Sequence, residues 1–410
     1  MSVPSLTSAP RTAGLSTSMI RSFAAAAPPG NVSLALGEPG WPLPQVAREA
    51  LTTWAREVGR CAYGPNQGRG ELREVLRQRL GVADERLMIS AGSQAALYAL
   101  FTAHVGEADV VWVPNPGFPA YRTLAHLCGA TTADYPLAAD GSLDAPALIE
   151  ALDRGRSENA GRPRLVVLNH PSNPTGGGAN PAALELVAQE CARRDILVLS
   201  DEVYRELPAG PAAPSMRMVS ERALVTESVS KAWAAPGLRV GWATGPPELL
   251  APAVLVHNAM NTAPAQPSQV AATALLHASE DVLATSRAEL AARWDLLAAH
   301  APAWLPSTRP AGGFYQWVPT PWADGHAWAT RLRDHGGVSV VPGSAFGPAG
   351  QGHIRISVGG PPDELIEGLR RITDFADRAD RADHADHADH ADHADHADRA
   401  DFATQAGADG

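Results

Sequence analysis

Residues 165–176 read Leu-Val-Val-Leu-Asn-His-Pro-Ser-Asn-Pro-Thr-Gly, and residues 196–204 read Ile-Leu-Val-Leu-Ser-Asp-Glu-Val-Tyr. Each opens on an unbroken apolar run and stops at polar or turn-forming residues, the pattern of a strand buried on both faces. Between them lies a helical stretch over 181–194, with Asn180 as N-cap and Pro181 at the first helical position. Working outward, strands expected at 87–90, 110–113, 224–228 and 240–244 join those at 165–169 and 196–200, and a further helix is expected over 94–105. This alternation predicts an α/β protein with a mostly parallel central sheet flanked by helices. After Gln266 the pattern is helical through His300. A strand at 314–318, a helix near 327–335 and strands at 338–341 and 354–358 then describe a second, smaller α+β unit.

The chain has 410 residues, of which 45% are hydrophobic and 19% charged, and this excludes a collagen, a membrane bundle or disorder throughout. At this length two domains are expected rather than one. The net charge of -11 is concentrated at the end, because residues 374–410 hold eleven Asp against three Arg. The rest is nearly neutral and has no basic stripe, so no nucleic-acid partner is expected and small-molecule chemistry becomes the default. Three cysteines are too few and too scattered for a disulfide framework or a zinc cluster, which suits a reducing cytoplasm. No apolar run approaches membrane-spanning length. Residues 1–37 carry Arg11 and Arg21 and no acid, a loose imitation of a transit peptide. From Asp377 onward, Arg-Ala-Asp and His-Ala-Asp triplets recur with no apolar face. This reads as a solvated low-complexity tail, with divalent-metal binding by its five His as the alternative.

Of the 33 Lys and Arg residues, one alone is lysine, Lys231. A guanidinium stays protonated and cannot act as an amine nucleophile, so a lone surviving lysine points to Schiff-base chemistry. Ligands of open parallel sheets sit beyond the strand carboxyl ends. There the sequence places Asn173, then Asp201 and Tyr204, then Lys231, each directly after a predicted strand. Arg239 follows in Lys231-x5-Gly237-x-Arg239-x-Gly241. Ahead of them, the turn Ala91-Gly92-Ser93-Gln94 joins a strand to a helix, and its backbone N–H groups suit a phosphate. An imine-forming lysine, an acid and a phosphate cradle together fit pyridoxal 5'-phosphate.

The ordered motifs are Gly37-Glu38-Pro39, Tyr63-Gly64-x3-Gly68, Ser90-Ala91-Gly92-Ser93-Gln94, Pro116-Gly117-Phe118-Pro119-x-Tyr121, Asn173-Pro174-Thr175-Gly176, Asp201-x2-Tyr204, Ser228-x-Ser230-Lys231 and Arg355. From about residue 34 to 372 the chain resembles the class I/II aminotransferases, fold-type I pyridoxal-phosphate enzymes, and it is somewhat similar to N-succinyldiaminopimelate aminotransferases. The resemblance implies an N-terminal arm with part of the small domain over 1–45, a large cofactor-binding domain over 46–285 and a small domain over 286–376, ahead of the tail at 377–410. It implies that Lys231 carries the cofactor, that Asp201 pairs with the pyridine nitrogen, and that Asn173 and Tyr204 hydrogen-bond the ring oxygen. Phe118 would stack on the ring, while Ser93, Gln94, Ser228 and Arg239 hold the phosphate. Tyr63 would reach the phosphate of the neighbouring subunit in a homodimer. Arg355 would bind the substrate α-carboxylate, with Asn173 and Gly37 beside it, and His170 would be a supporting residue.

The expected activity is transfer of an amino group between an L-amino acid and a 2-oxo acid. A carbon–sulfur β-lyase on the same fold shares these motifs, and a non-enzymatic cofactor- or metal-binding role is the third reading. Branches of the family that favour aspartate-like substrates often carry Lys at the Gln94 position, so a neutral Gln94 counts against that preference. Arg69 is read as solvated, with a charge-supplying role as the alternative.

Overall fold

The computed structural model describes residues 9–158, 161–321 and 324–378. Its strands are β1 (Val32–Ser33), β2 (Leu87–Ser90), β3 (Asp109–Asn115), β4 (Thr131–Pro136), β5 (Arg162–Asn169), β6 (Leu197–Asp201), β7 (Leu224–Ser228), β8 (Gly241–Thr244), β9 (Tyr315–Pro319), β10 (Val338–Ser339), β11 (Val341–Pro342) and β12 (His353–Ser357). Seven of them form one sheet in the order β2-β8-β7-β6-β5-β3-β4. All its pairings are parallel except the two made by β8, which runs against both neighbours.

Side-chain alternation explains why these strands read as continuous apolar runs. Met88, Val111, Val113, Leu165 and Val167 pack with Leu97 and Phe101 of the helix Ser93–His104. On the other face, Val110, Trp112, Val166, Leu168 and Val198 pack with Leu184 and Val187 of the helix Pro181–Arg193. Both faces are covered, so both sets must be apolar. The helix Pro181–Arg193 starts as its sequence dictates, with the Asn180 side chain accepting from Ala183 N at 2.8 Å and proline in the first turn.

Two strand expectations are corrected. β4 has no counterpart in the sequence reading because it is the edge strand and buries only Tyr135, which leaves no apolar run to recognise. The single strand expected over 338–341 is two strands: β10 pairs in parallel with β1, and β11 pairs antiparallel with β12. The stretch Val338-Ser339-Val340-Val341 holds no turn residue to mark where the chain changes partner. β11, β12 and β9 form an antiparallel sheet with β12 in the centre.

One apolar cluster extends from Ile89 and Trp242 in the large sheet, through Trp233, Leu275 and Trp294, to Val338, Ile354 and Ile372. The sheet and the C-terminal α+β region therefore share a continuous core. No helix among the described residues is long and apolar enough to cross a membrane. The chain runs from β3 out to the edge strand β4, then crosses back to place β5 on the other side of β3. In sheets with such a reversal the usual ligand position lies beyond the carboxyl ends of the strands on either side of it, here β3 and β5.

Candidate active site

Sheet register fixes the neighbours of the predicted residues Asp201 and Ser228. Asn169, Asp201 and Thr226 lie side by side across β5, β6 and β7, and Ser228, Gly241 and Ser90 across β7, β8 and β2. Asp201 is the last residue of its strand rather than the first after it.

The Asp201 carboxyl is 4% exposed. Tyr121 Oη donates to its Oδ2 at 2.8 Å and Thr226 Oγ1 to its Oδ1 at 3.2 Å. Burial pushes its pKa up to about 6, against these two hydrogen bonds, a backbone N–H from Val203 and the charge of Lys231, all of which favour the carboxylate. Asn169 fixes the neighbouring loop, donating to Asp201 O at 2.8 Å and accepting from Asn173 N at 2.8 Å. Sequence reasoning gave no role to Tyr121, although it stood inside a quoted motif, and none to Thr226, which reads as an ordinary strand threonine.

Lys231 sits half-buried in the connection between β7 and β8. Its Nζ donates to Gly37 O at 2.6 Å and lies 5.8 Å from the ring centres of both Tyr204 and Phe314. The Tyr204 hydroxyl is 2.9 Å from that of Tyr315, and burial raises the Tyr204 pKa well above its usual value. Both Tyr315 and Phe314 were absent from the predicted site. A Cβ added to Gly37 would lie 1.7 Å from Tyr315 Oη, so only glycine fits there.

Arg355, on the central strand of its sheet, is 1% exposed. It donates to Asn173 Oδ1 at 2.8 Å and to Ala35 O at 2.5 Å, and its guanidinium carbon lies 4.2 Å from the Tyr315 ring centre and 4.9 Å from that of Phe346. Its Nε has no hydrogen-bond partner among the described residues. Burial draws its pKa below the usual arginine value, yet a guanidinium stays charged. A desolvated cation with a donor to spare is matched to an incoming carboxylate.

At the opposite end, the helix Ser93–His104 begins after Gly92, which has φ +83° and no side chain to cap the first N–H groups. Such unpartnered N–H groups bind anions. A Cβ on Gly92 would meet Arg239 Nη2 at 2.4 Å, so the arginine is packed directly against this turn. Arg239 itself is exposed, Ser228 is buried at the end of β7, Ser93 is half-buried and Gln94 is exposed. His257 accepts from Ala91 N at 3.2 Å and braces the turn from behind. An uncapped helix start with an arginine against it, a lysine amine and a buried acid suit the phosphate, carbonyl carbon and ring nitrogen of pyridoxal phosphate in turn.

The remaining predicted residues lie as follows. Phe118 is half-buried, edge-to-face with Tyr121 at 5.7 Å between ring centres. Tyr63 is 88% exposed. Arg69 is not solvated as expected: it donates to Gln266 Oε1 at 2.8 Å and pairs with Glu71 at 3.3 Å. His170 is buried, 3.0 Å from Ser200 Oγ, and burial lowers its pKa to about 4, so it is a neutral supporting residue. The His-rich tail lies outside the described residues.

Residues 30–372 match the family "Aminotransferase class I and II". The chain is 32% identical to the arginine–pyruvate transaminase of Pseudomonas aeruginosa, covering 83% of this chain and 88% of that one. It is 31% identical to the aspartate/prephenate aminotransferase of Thermus thermophilus, covering 83% and 89%. Among solved structures it resembles aspartate aminotransferase from Thermus thermophilus with maleate, with a TM-score of 0.82 at 27% identity over 90% of this chain and 99% of that one. It also resembles N-succinyldiaminopimelate aminotransferase from Mycobacterium tuberculosis, with a TM-score of 0.80 at 26% identity over 90% and 99%. None of these relatives is named as a lyase. With a fold-type I architecture and a family match over most of its length, the chain belongs to the class I and II aminotransferases and is a transaminase.

Proposed function

We propose that this transaminase holds pyridoxal 5'-phosphate on Lys231 and exchanges an amino group between an L-amino acid and a 2-oxo acid. What supports the reading is the single lysine, its Nζ 5.8 Å from the Tyr204 ring centre, with the buried Asp201 three residues before that tyrosine and the buried Arg355 hydrogen-bonded to Asn173. When bound, the cofactor supplies an electron sink for the pair released as the substrate Cα–H bond breaks.

The protein's residues do the rest. Asp201, held by Tyr121 and Thr226, keeps a proton on the ring nitrogen. Tyr204 and Asn173 serve the ring oxygen, Phe118 covers the ring, and Ser93, Gln94, Ser228 and Arg239 hold the phosphate. Arg355 pairs with the α-carboxylate and, with Asn173 and Gly37, turns the Cα–H bond toward Lys231. The Lys231 amine would take the Cα proton as general base and, as general acid, deliver it to the cofactor's former carbonyl carbon. Tyr63, exposed on this subunit, reaches the phosphate of a second copy, which makes the working unit a homodimer. Three free cysteines suit a cytoplasmic location.

Lys231→Ala tests the assignment. With a panel of amino acids and 2-oxo acids, turnover is expected to fall to background, a loss of about 10⁴-fold. Near-normal transamination by the variant would overturn the catalytic assignment.

A further inference from the structure

We infer that Tyr315 is the positioning residue that links the carboxylate-binding arginine to the hydroxyl serving the cofactor ring. The inference rests on the function proposed above. One side chain makes every contact it needs. Its Oη is 2.9 Å from Tyr204 Oη, with both side chains buried. Its ring lies 4.2 Å beneath the guanidinium carbon of Arg355. Its hydroxyl occupies the space where a Gly37 Cβ would stand, against the peptide whose carbonyl receives Lys231 Nζ at 2.6 Å. Edge-to-face contacts at 5.0 Å to Phe314 and 5.5 Å to Tyr204 fix the ring itself.

The direction of the hydrogen bond follows from the work required of Tyr204. If Tyr204 gives its proton to the ring oxygen, its own oxygen is left as an acceptor, and Tyr315 is the donor seated against it. A hydroxyl that accepts one hydrogen bond donates a stronger one. Tyr315 thereby strengthens the donor at the ring oxygen, while its π face holds Arg355 where the substrate carboxylate arrives. Substrate anchoring and cofactor tuning share one residue.

Two variants separate these roles. Tyr315→Phe keeps the ring and removes the hydroxyl. A donor at the ring oxygen favours the high-pH form of the holoenzyme, in which that oxygen's negative charge is uncompensated, so its weakening raises the midpoint of the visible-band pH titration. The expected rise is about half a pH unit, with kcat reduced severalfold and KM for the amino acid within about twofold. Tyr315→Leu removes the ring as well and is expected to raise KM about tenfold. Cofactor content and thermal melting of both variants report folding, and Tyr315→Phe decides the matter if the leucine variant folds poorly. An unchanged titration midpoint in Tyr315→Phe overturns the inference. A normal cofactor band in Lys231→Ala would instead overturn the proposed function, so the two failures are distinguishable.

Discussion

At the end of the site proposed for the cofactor ring, Asp201 is buried and both its carboxylate oxygens already accept hydrogen bonds, whereas at the end proposed for the phosphate Gln94 and Arg239 are exposed and the helix after Gly92 has no side-chain cap. The ring end is complete as folded. The phosphate end is a set of donors waiting for an acceptor. A group that must keep a defined charge needs a preorganised surrounding, because an unpartnered buried carboxylate would take up a proton. Donors facing solvent carry no such cost, since water satisfies them until the anion arrives.

That contrast can be broken from either side. Between the two ends, the larger effect is expected from Asp201→Ala, which would remove the counter-charge proposed for the ring nitrogen: kcat should fall about 10³-fold, with a smaller change in cofactor affinity. Comparable kcat values for variant and wild type would mean that the ring end needs no acid.

A smaller, differently shaped effect is expected from Gly92→Ala. The backbone there has φ +83° and the new Cβ would press on Arg239. Cofactor affinity should drop about tenfold to a hundredfold, while affinity for pyridoxal lacking its phosphate stays unchanged. Equal losses for both ligands would show that the turn does not act through the phosphate.

The smallest effect sharpens the ring end in the cofactor-free protein. Burial raises the Asp201 pKa from 3.8 to about 6. Between those values the folded protein keeps a proton that the unfolded chain has released, so this group lowers stability as pH rises, with the full penalty present above about 6. Asp201→Asn removes the slope. Its cofactor-free form should therefore melt a few degrees higher than wild type at pH 8 but not at pH 4. Parallel melting profiles across that range would contradict the raised pKa.

The same contrast explains what could be read from the sequence. The turn at Gly92, the Asn173–Gly176 loop and the lone Lys231 are local signals, each following a strand of the large sheet. The partners that complete the ring end are distant. Tyr121 meets Asp201 across 80 residues, Tyr204 meets Tyr315 across 111, and Arg355 meets Ala35 across 320. No spacing rule connects such pairs, because only the sheet order and the return of the C-terminal strands create them. β4 was missed for a related reason: an exposed edge strand has no periodic apolar face to detect.

The reversed strand β8 has one further consequence. Because it runs against β7, the connection over residues 229–240 starts and ends at the same edge of the sheet, and it carries both Lys231 and Arg239. A parallel partner would have required a long crossover and separate carriers for the two residues. The residue proposed as covalent anchor and one proposed for the phosphate therefore share a single connection. Grafting that loop into a related scaffold would transfer both together, and neither could drift in position without dragging the other.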